Sequence, residues 1–356
     1  MEQERVDSGQ LIGFTTRILE KLGVSPQDAA IAADAIVSAD LRGVESHGVA
    51  HLAQFYVQRI QKGFINIHPN ITISSQAPAT AIIDGDRGIG FVLGHRAMSE
   101  AIERARKVGV GLVAVRNSTH FGVSAYYAMM ALPHEMIGLA MSSTGPIVFP
   151  PGSKARGVGT NPISLAVPAG VESPFVLDMA TSVVAGGKVS EAMRKGLPLP
   201  AGWAVDNQGG ITTDPKAVFA GGGGLLPLGG TPELGVYKGF ALAVAVEILC
   251  NILSGSVAGL LQTVEPGAAG NKCDHFFGAI RIDGFLPVET FKAKMDDLIQ
   301  AYHSLPKVDG VADIFLAGEM EAATERARRV EGIPLHEKVS ASLREIGQQL
   351  GVPYDL

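Results

Sequence analysis

Asp40–Leu52, DLRGVESHGVAHL, gathers Arg42, Glu45, Ser46, His47 and His51 around two glycines, Gly43 and Gly48. The segments on either side read as helices. Leu11, Phe14, Ile18 and Leu22 recur at helical spacing and stop at Gly23. Ser25-Pro26 then offers an N-cap with proline at the first helical position, and Asp28 suits the first turn. That second helix is expected to reach about Leu41. Beyond the break, Leu52, Phe55, Tyr56 and Ile60 form an apolar stripe closed by Gly63. Titratable groups at a glycine-rich break between two helices are held by rigid supports yet open to solvent, a favourable place for chemistry. A plain helix–helix connection with exposed histidines is the alternative reading.

From Asn66 the pattern changes. Asn70–Ser74, Ala79–Ile83, Val108–Val115, Ile137–Ser142, Ile163–Val167 and Pro174–Asp178 read as strands, with an amphipathic helix over Gly94–Lys107. Gly221–Gly230 reads as a long flexible segment, Gly239–Leu253 as a buried helix and Ser256–Lys272 as a mobile loop. His275–Ile282 follows as a strand. Val288, Phe291, Met295, Leu298 and Tyr302 mark a helix, as do Val339, Leu343, Ile346 and Leu350. Helices therefore dominate both ends and strands the middle. The expected fold class is α/β (α+β): a discontinuous helical domain from residues 1–70 and 285–356, and a central α+β domain over 71–284.

The 356 residues suffice for one large or two ordinary domains, and 46% hydrophobic against 18% charged residues argues against disorder. A net charge of −6 without a basic run speaks against a nucleic-acid surface. Glu247 interrupts the most apolar stretch, so no membrane span is expected. Cys250 and Cys273 sit in no metal spacing, and the N-terminus MEQERVDSGQ is acidic and polar, unlike a secretory signal. Reduced thiols and a cytoplasmic location are the expectation.

His47 and His51 are four residues apart, as in helical metal sites, but Gly48 stands where such motifs place a general-base Glu. Arg116–Gly122, RNSTHFG, follows a strand, and His120 is a second candidate for proton transfer. The bland alternative there is a helix N-cap from Ser118 or Thr119. Thr160 and Asn161 lie in a tight polar turn. Asp178, Met179, Ala180, Thr181 and Ser182 run from a strand into small hydroxyls, where an acid can accept from ribose and hydroxyls can hold phosphate oxygens. No G-x-G-x-x-G opens a strand–helix unit, which speaks against a Rossmann site.

With these segments in view the chain resembles the type-2 malate/L-lactate dehydrogenase family nearly end to end. The segments that carry the resemblance are ADLRGVESHGV (39–49), GHRAM (94–98), VRNSTHFG (115–122), GTNPISLAVP (159–168), LDMATS (177–182), GGKV (186–189), PAGWAVD (200–206), LLPLGG (225–230) and YKGFAL (237–242). The resemblance implies an L-sulfolactate dehydrogenase-like, non-Rossmann NAD(P)-binding domain, a helical domain from both termini and a homodimer with its active site near the interface.

By the same resemblance, His47 is the proton donor and acceptor and His120 a second active-site histidine. Ser46, Arg42 and His51, beside that histidine in sequence, are the expected substrate contacts. Thr144, Thr160, Asn161, Asp178–Ser182, Lys238, Gly318 and Glu319 fall at the cofactor, NAD or NADP. Two positions depart from the pattern. The family usually has an arginine four residues after the catalytic histidine and an aromatic hydroxyl four further on; here those positions are His51 and Phe55. The arginine is the natural bidentate partner of a carboxylate, so Arg42 or Arg116 becomes a candidate to supply the charge. The expected activity is hydride transfer at the α-carbon of a 2-hydroxy or 2-keto acid. The alternatives are reduction of cyclic imino acids, a hydrolase metal site on His47 and His51, and a non-catalytic dinucleotide-binding regulator.

Overall fold

The computed structural model describes residues 4–262 and 272–356. The N-terminal layer begins with β1 (Glu4–Val6) and α1 (Ser8–Lys21), which starts where the Asp7 carboxylate accepts the Gln10 N–H and buries Leu11, Phe14 and Ile18. In α2 (Pro26–Leu41) the Ser25 hydroxyl accepts the Asp28 N–H, as expected of that cap. Two 3₁₀ turns, Glu45–His47 and Val49–His51, lead into a π-helical turn, Leu52–Val57, and then α3 (Gln58–Gln61). The glycine break is thus wound into short turns between helices.

The middle of the chain builds a seven-stranded sheet. Its strands are β2 (Thr72–Ala77), β3 (Thr80–Asp84), β4 (Val110–Ser118), β5 (Met136–Ser143), β6 (Ile163–Val167), β7 (Phe175–Met179) and β11 (Cys273–Arg281), in spatial order β2-β3-β4-β11-β5-β6-β7. Only β3 and β4 pair in parallel, through the crossover helix α4 (Gly90–Val108). Every other neighbour is antiparallel. A Rossmann sheet is mostly parallel, so the topology agrees with the missing glycine fingerprint. Helices α4 and α5 (Ser124–Met129) cover one face over a core containing Ile83, Leu93, Val113, Tyr127 and Phe277.

A smaller lobe follows β7. It contains α6 (Gly186–Lys195), β8 (Ala204–Val205), β9 (Ile211–Thr212), α7 (Pro215–Val218) and β10 (Gly224–Leu225) around Val148, Val189, Leu199 and Leu225. The segment expected to be flexible is therefore structured. Leu225 is fully buried, pairs with Ala204 and exchanges backbone hydrogen bonds with Ile147 and Phe149, because it fills this lobe's core. The expected buried helix is α8 (Val236–Glu247) with a π turn, Ile248–Ile252. Only one side is buried, at Ala243, Val246 and Cys250; Tyr237, Leu242, Ile248 and Ile252 are exposed. Of the expected loop over 256–272, residues 263–271 lie outside the described residues, and Gly259–Leu261 forms a 3₁₀ turn.

The C-terminal run comprises α9 (Val288–His303), α10 (Glu319–Glu331), β12 (Ile333–Leu335) and α11 (Glu337–Leu350). Asp296 of α9 accepts the N–H groups of Gly170, Val171 and Glu172, which fixes α9 to the β6–β7 turn. The rest returns to the N-terminus: β12 pairs with β1, and Ile333, Leu343 and Ile346 join Phe14, Ile36 and Leu52 in one core. No helix among the described residues is long and apolar enough to cross a membrane.

The contact between α4 and the sheet depends on Gly111 of β4. A Cβ there would lie 1.9 Å from the Ala101 carbonyl oxygen, inside the helix backbone. Gly111→Ala must push α4 off the sheet, an overpacking cost of about 1–3 kcal/mol. The expected result is a Tm lowered by a few degrees, while Gly284→Ala, which meets open space, leaves it unchanged. Equal midpoints for the two variants by calorimetry refute the contact's importance.

Candidate functional site

Asp40, at the end of α2, is buried and its Oδ2 accepts the Val49 N–H at 2.8 Å. Gly48 lies flat against this carboxyl; a Cβ there would meet Oδ1 at 2.1 Å. Glycine is required by this close approach, and the loop carrying His47 and His51 is thereby pinned to α2. Burial pushes the Asp40 carboxyl up to about 8, against the pull of the Val49 N–H.

Three imidazoles meet beside this clamp. The rings of His47 and His120 stack with centroids 5.7 Å apart, and those of His47 and His51 lie 6.4 Å apart. Ser46 Oγ is 3.0 Å from His47 Nδ1. His120 Nδ1 lies 2.9 Å from the Tyr56 hydroxyl and accepts the Gly122 N–H at 3.3 Å. A backbone N–H can only donate, so the neutral His120 ring carries its proton on Nε2. Burial lowers the pKa of all three rings, His47 to about 4, and each cationic neighbour lowers it further. The three imidazoles are therefore neutral at neutral pH.

The π turn changes what the sequence offers here. Phe55 lacks a hydroxyl, but the turn's wider winding aims the next residue, Tyr56, at His120. Phe55 instead lies under the Arg59 guanidinium, 3.2 Å from its ring centroid, and packs edge-on against His120. Tyr56 and Arg59 were not singled out in the sequence. Tyr56 reads there as part of an apolar stripe, and an extra residue in one helical turn leaves no trace without aligned relatives.

The two arginines considered as substitutes for the clamp are engaged elsewhere. Arg42 is buried and paired with Glu325 at 3.0 Å. Arg116 is held by Asp84 at 2.9 Å and by the Ser254 carbonyl. Ser118 and Thr119 do not cap the helix after His120. Ser118 stays in β4, its Oγ 2.8 Å from His275 Nε2, while Thr119 accepts the Gly90 N–H at the start of α4. His275, fully buried between Ser118 and Ser142, stacks on Phe121 next to His120. Burial pushes its pKa down to about 3.

The residues expected at the cofactor fall into connected groups. Thr144 N donates to Asn161 Oδ1, Thr160 N donates to Thr144 Oγ1, and Thr181 donates to the Thr160 and Asn161 carbonyls. Ser182 follows, its hydroxyl turned to the Val184 carbonyl. Asp178 and Met179 end β7, and Asp178 Oδ2 accepts the Ala125 N–H at 2.8 Å; Ala180 continues beyond the strand. Asp178 presents an exposed face, and the protein around it raises its carboxyl above the ordinary range. Gly318 packs against Val176 of β7 and places Glu319 at the start of α10, where it accepts the Leu316 N–H. Lys238 stands exposed on α8, next to Gly239, which packs on the Leu228 backbone; Leu228 N in turn donates to the Thr181 carbonyl. Among the described residues no group of three or more His, Cys, Asp or Glu is placed to hold a metal ion. The nearly parallel rings of His47 and His51, 17° apart, do not converge on one point.

The model of the malate/L-lactate dehydrogenase family matches residues 6–344. The malate dehydrogenase of Pyrococcus abyssi is 46% identical over 98% of this chain and 95% of that protein. The L-sulfolactate dehydrogenase of Methanocaldococcus jannaschii is 40% identical over 94% of each. The solved malate dehydrogenase of Pyrococcus horikoshii OT3 superposes with a TM-score of 0.90 at 43% identity, covering 99% of this chain and 97% of that one. Sequence and fold agree over the whole length, and the chain belongs to the malate/L-lactate dehydrogenase family, as an oxidoreductase acting on a hydroxy acid.

Proposed function

We propose that the protein interconverts a 2-hydroxy acid and its 2-keto acid with NAD or NADP, His47 exchanging the proton at the substrate oxygen. The observation that carries this reading is the difference between the two stacked imidazoles. His120 Nδ1 is occupied by the Gly122 N–H and the Tyr56 hydroxyl, so its Nε2–H is a donor. Among the described residues His47 meets a serine hydroxyl at Nδ1, which can accept a hydrogen bond from it and leave Nε2 to act as a base. His47 then takes the hydroxyl proton in oxidation, and His120 holds the same oxygen in place.

His51 lies on the turns that frame this pair and, when protonated, suits the substrate's carboxylate. The residues present also fit a dinucleotide. Asp178 offers an exposed carboxylate at a strand end for ribose hydroxyls, and Lys238 an exposed cation for phosphate. The nicotinamide, when bound, supplies or takes the hydride. Relatives named for malate and L-sulfolactate suggest a hydroxy acid with a second acidic group.

His47→Ala should lower kcat by roughly 10²–10⁴-fold and leave dinucleotide affinity nearly unchanged. A base must be unprotonated, so kcat/KM for oxidation is lost as pH falls through the free-enzyme pKa. With His47 pushed down to about 4, that acid limb should lie well below the ordinary histidine value. Wild-type turnover in His47→Ala would transfer the role to His120. Stopped assays over a panel of keto acids and cyclic imines, run with both NADH and NADPH, fix the substrate and cofactor.

His51 must be protonated to attract a carboxylate, and burial with the fields of Arg194 and Arg59 opposes that. KM for keto acids should therefore rise with pH. His51→Arg should flatten the profile and lower KM roughly tenfold above neutrality, the worth of one charge-assisted hydrogen bond. Identical KM–pH profiles would remove His51 from the carboxylate site.

The outer face of α8 suits a second copy of the chain. A helix apolar on both faces belongs inside a protein, and here one face is left to solvent, at Tyr237, Leu242, Ile248 and Ile252. Sedimentation should give a dimer for the wild type and a monomer for Ile248→Glu. A monomeric wild type sinks this part of the proposal.

A further inference from the structure

A cavity of about 500 Å³ opens behind the His47 loop. Ser46, whose hydroxyl touches His47, lines one wall. Helix α6 adjoins it, with Gly187 packed on Ser46, and Arg328 of α10 and Lys338 of α11 also line the space. None of the residues expected at the cofactor lines this space.

The charges on the walls do not balance. Lys188, Arg194, Lys195, Arg328 and Lys338 line it together with Glu45 and Glu191, while burial keeps the Asp40 carboxyl largely protonated at neutral pH. Glu191 is shared by Lys195 at 2.7 Å and Lys188 at 3.7 Å, and Glu45 pairs with Arg328 at 2.6 Å. Arg194 and Lys338 have no carboxylate partner among the described residues. Like charges held around a concave wall repel one another and concentrate counter-ions. The cavity also communicates with the reacting loop, since Arg194 is among the cations that depress the basicity of His51.

We propose that this cavity is a binding site for a multiply charged small-molecule anion, bearing phosphate or several carboxylates, seated between Arg194 and Lys338. Its volume lies in the range of small-molecule sites rather than of a single water or chloride. Such an anion contacts α6 on one side and α10 and α11 on the other. It therefore ties the small lobe to the terminal helices across the His47 loop, and it is a ligand additional to the dinucleotide and the hydroxy acid.

The test is titration calorimetry on the full chain with pyrophosphate and, separately, tricarballylate, at ionic strength held constant with sodium chloride. NADH and malate are present in excess. Saturable binding is expected, weakened roughly tenfold in Arg194→Ala/Lys338→Ala. Tighter binding of pyrophosphate points to phosphate esters, and tighter binding of tricarballylate to polycarboxylates. The thermal midpoint of the wild type should climb with the bound anion. No heat beyond the chloride control overturns the site, as does equal affinity in the double variant. Binding that appears only when NADH or malate is left out assigns the cavity to the reactants and overturns it too. The readout needs no turnover, so it stands or falls apart from the role given to His47.

Discussion

The hydrogen bond from the Val49 N–H to Asp40 carries the site. It ties a loop of two short 3₁₀ turns to the end of α2, and Gly48 must be glycine for the carboxyl to lie against it. Helix α2 is itself held on both sides, by α1 through the shared terminal core and by α10 through Arg42 and Glu325. Arg328 of α10 adds contacts to the Asp40 carbonyl and to Glu45. The histidines are thus presented by an element that both ends of the chain support. A loop with few apolar contacts of its own gains its precision from these neighbours.

The sheet supplies the other half of the site by different means. His120 leaves the end of β4 just after Ser118, and β4 lies beside the central strand β11. His275 of β11, bonded to serines on both neighbouring strands, stacks on Phe121 and so supports the backbone beside His120. Asp274, its neighbour, accepts the Asn117 N–H and an Asn251 amide proton. Both ring nitrogens of His275 and both carboxyl oxygens of Asp274 thus find partners, the condition under which a buried polar group fixes a geometry rather than weakening a core. The desolvation that keeps His275 neutral also acts on His120, so the two share one dry environment.

Much of this was legible in the sequence, for identifiable reasons. The caps at Ser25-Pro26 and the stripes of α1, α4, α9 and α11 announce amphipathic helices, and β6 appears at its observed bounds because Ile163–Val167 is a β-rich run. Helix α10 is harder to read: it buries none of its residues, and Met320 and Val330 are its only large apolar side chains. The glycines around Leu225 signal flexibility in the sequence, whereas a long-range pairing with β8 decides the segment's state. His47, His51 and His120 were visible as residue types in glycine-rich settings. Their stacking was not, since His47 and His120 are brought together only by the docking of the terminal layer on the sheet.

The π turn shows how a local change in winding alters chemistry without changing composition. An α-helical path from His51 would carry Phe55 to the position one turn on, and the site would lose its aromatic hydroxyl. A turn of i→i+5 bonds takes in one more residue, so Tyr56 arrives there instead. The displaced Phe55 is not idle: its ring becomes the platform for Arg59, a cation one helical turn further along. A hydroxyl donor, an apolar wall and a positive charge are then all supplied by five consecutive positions, Phe55 to Arg59. The turn thus sets a tyrosine hydroxyl against His120 and an arginine over Phe55, while the positions four and eight residues after His47 stay a histidine and a phenylalanine.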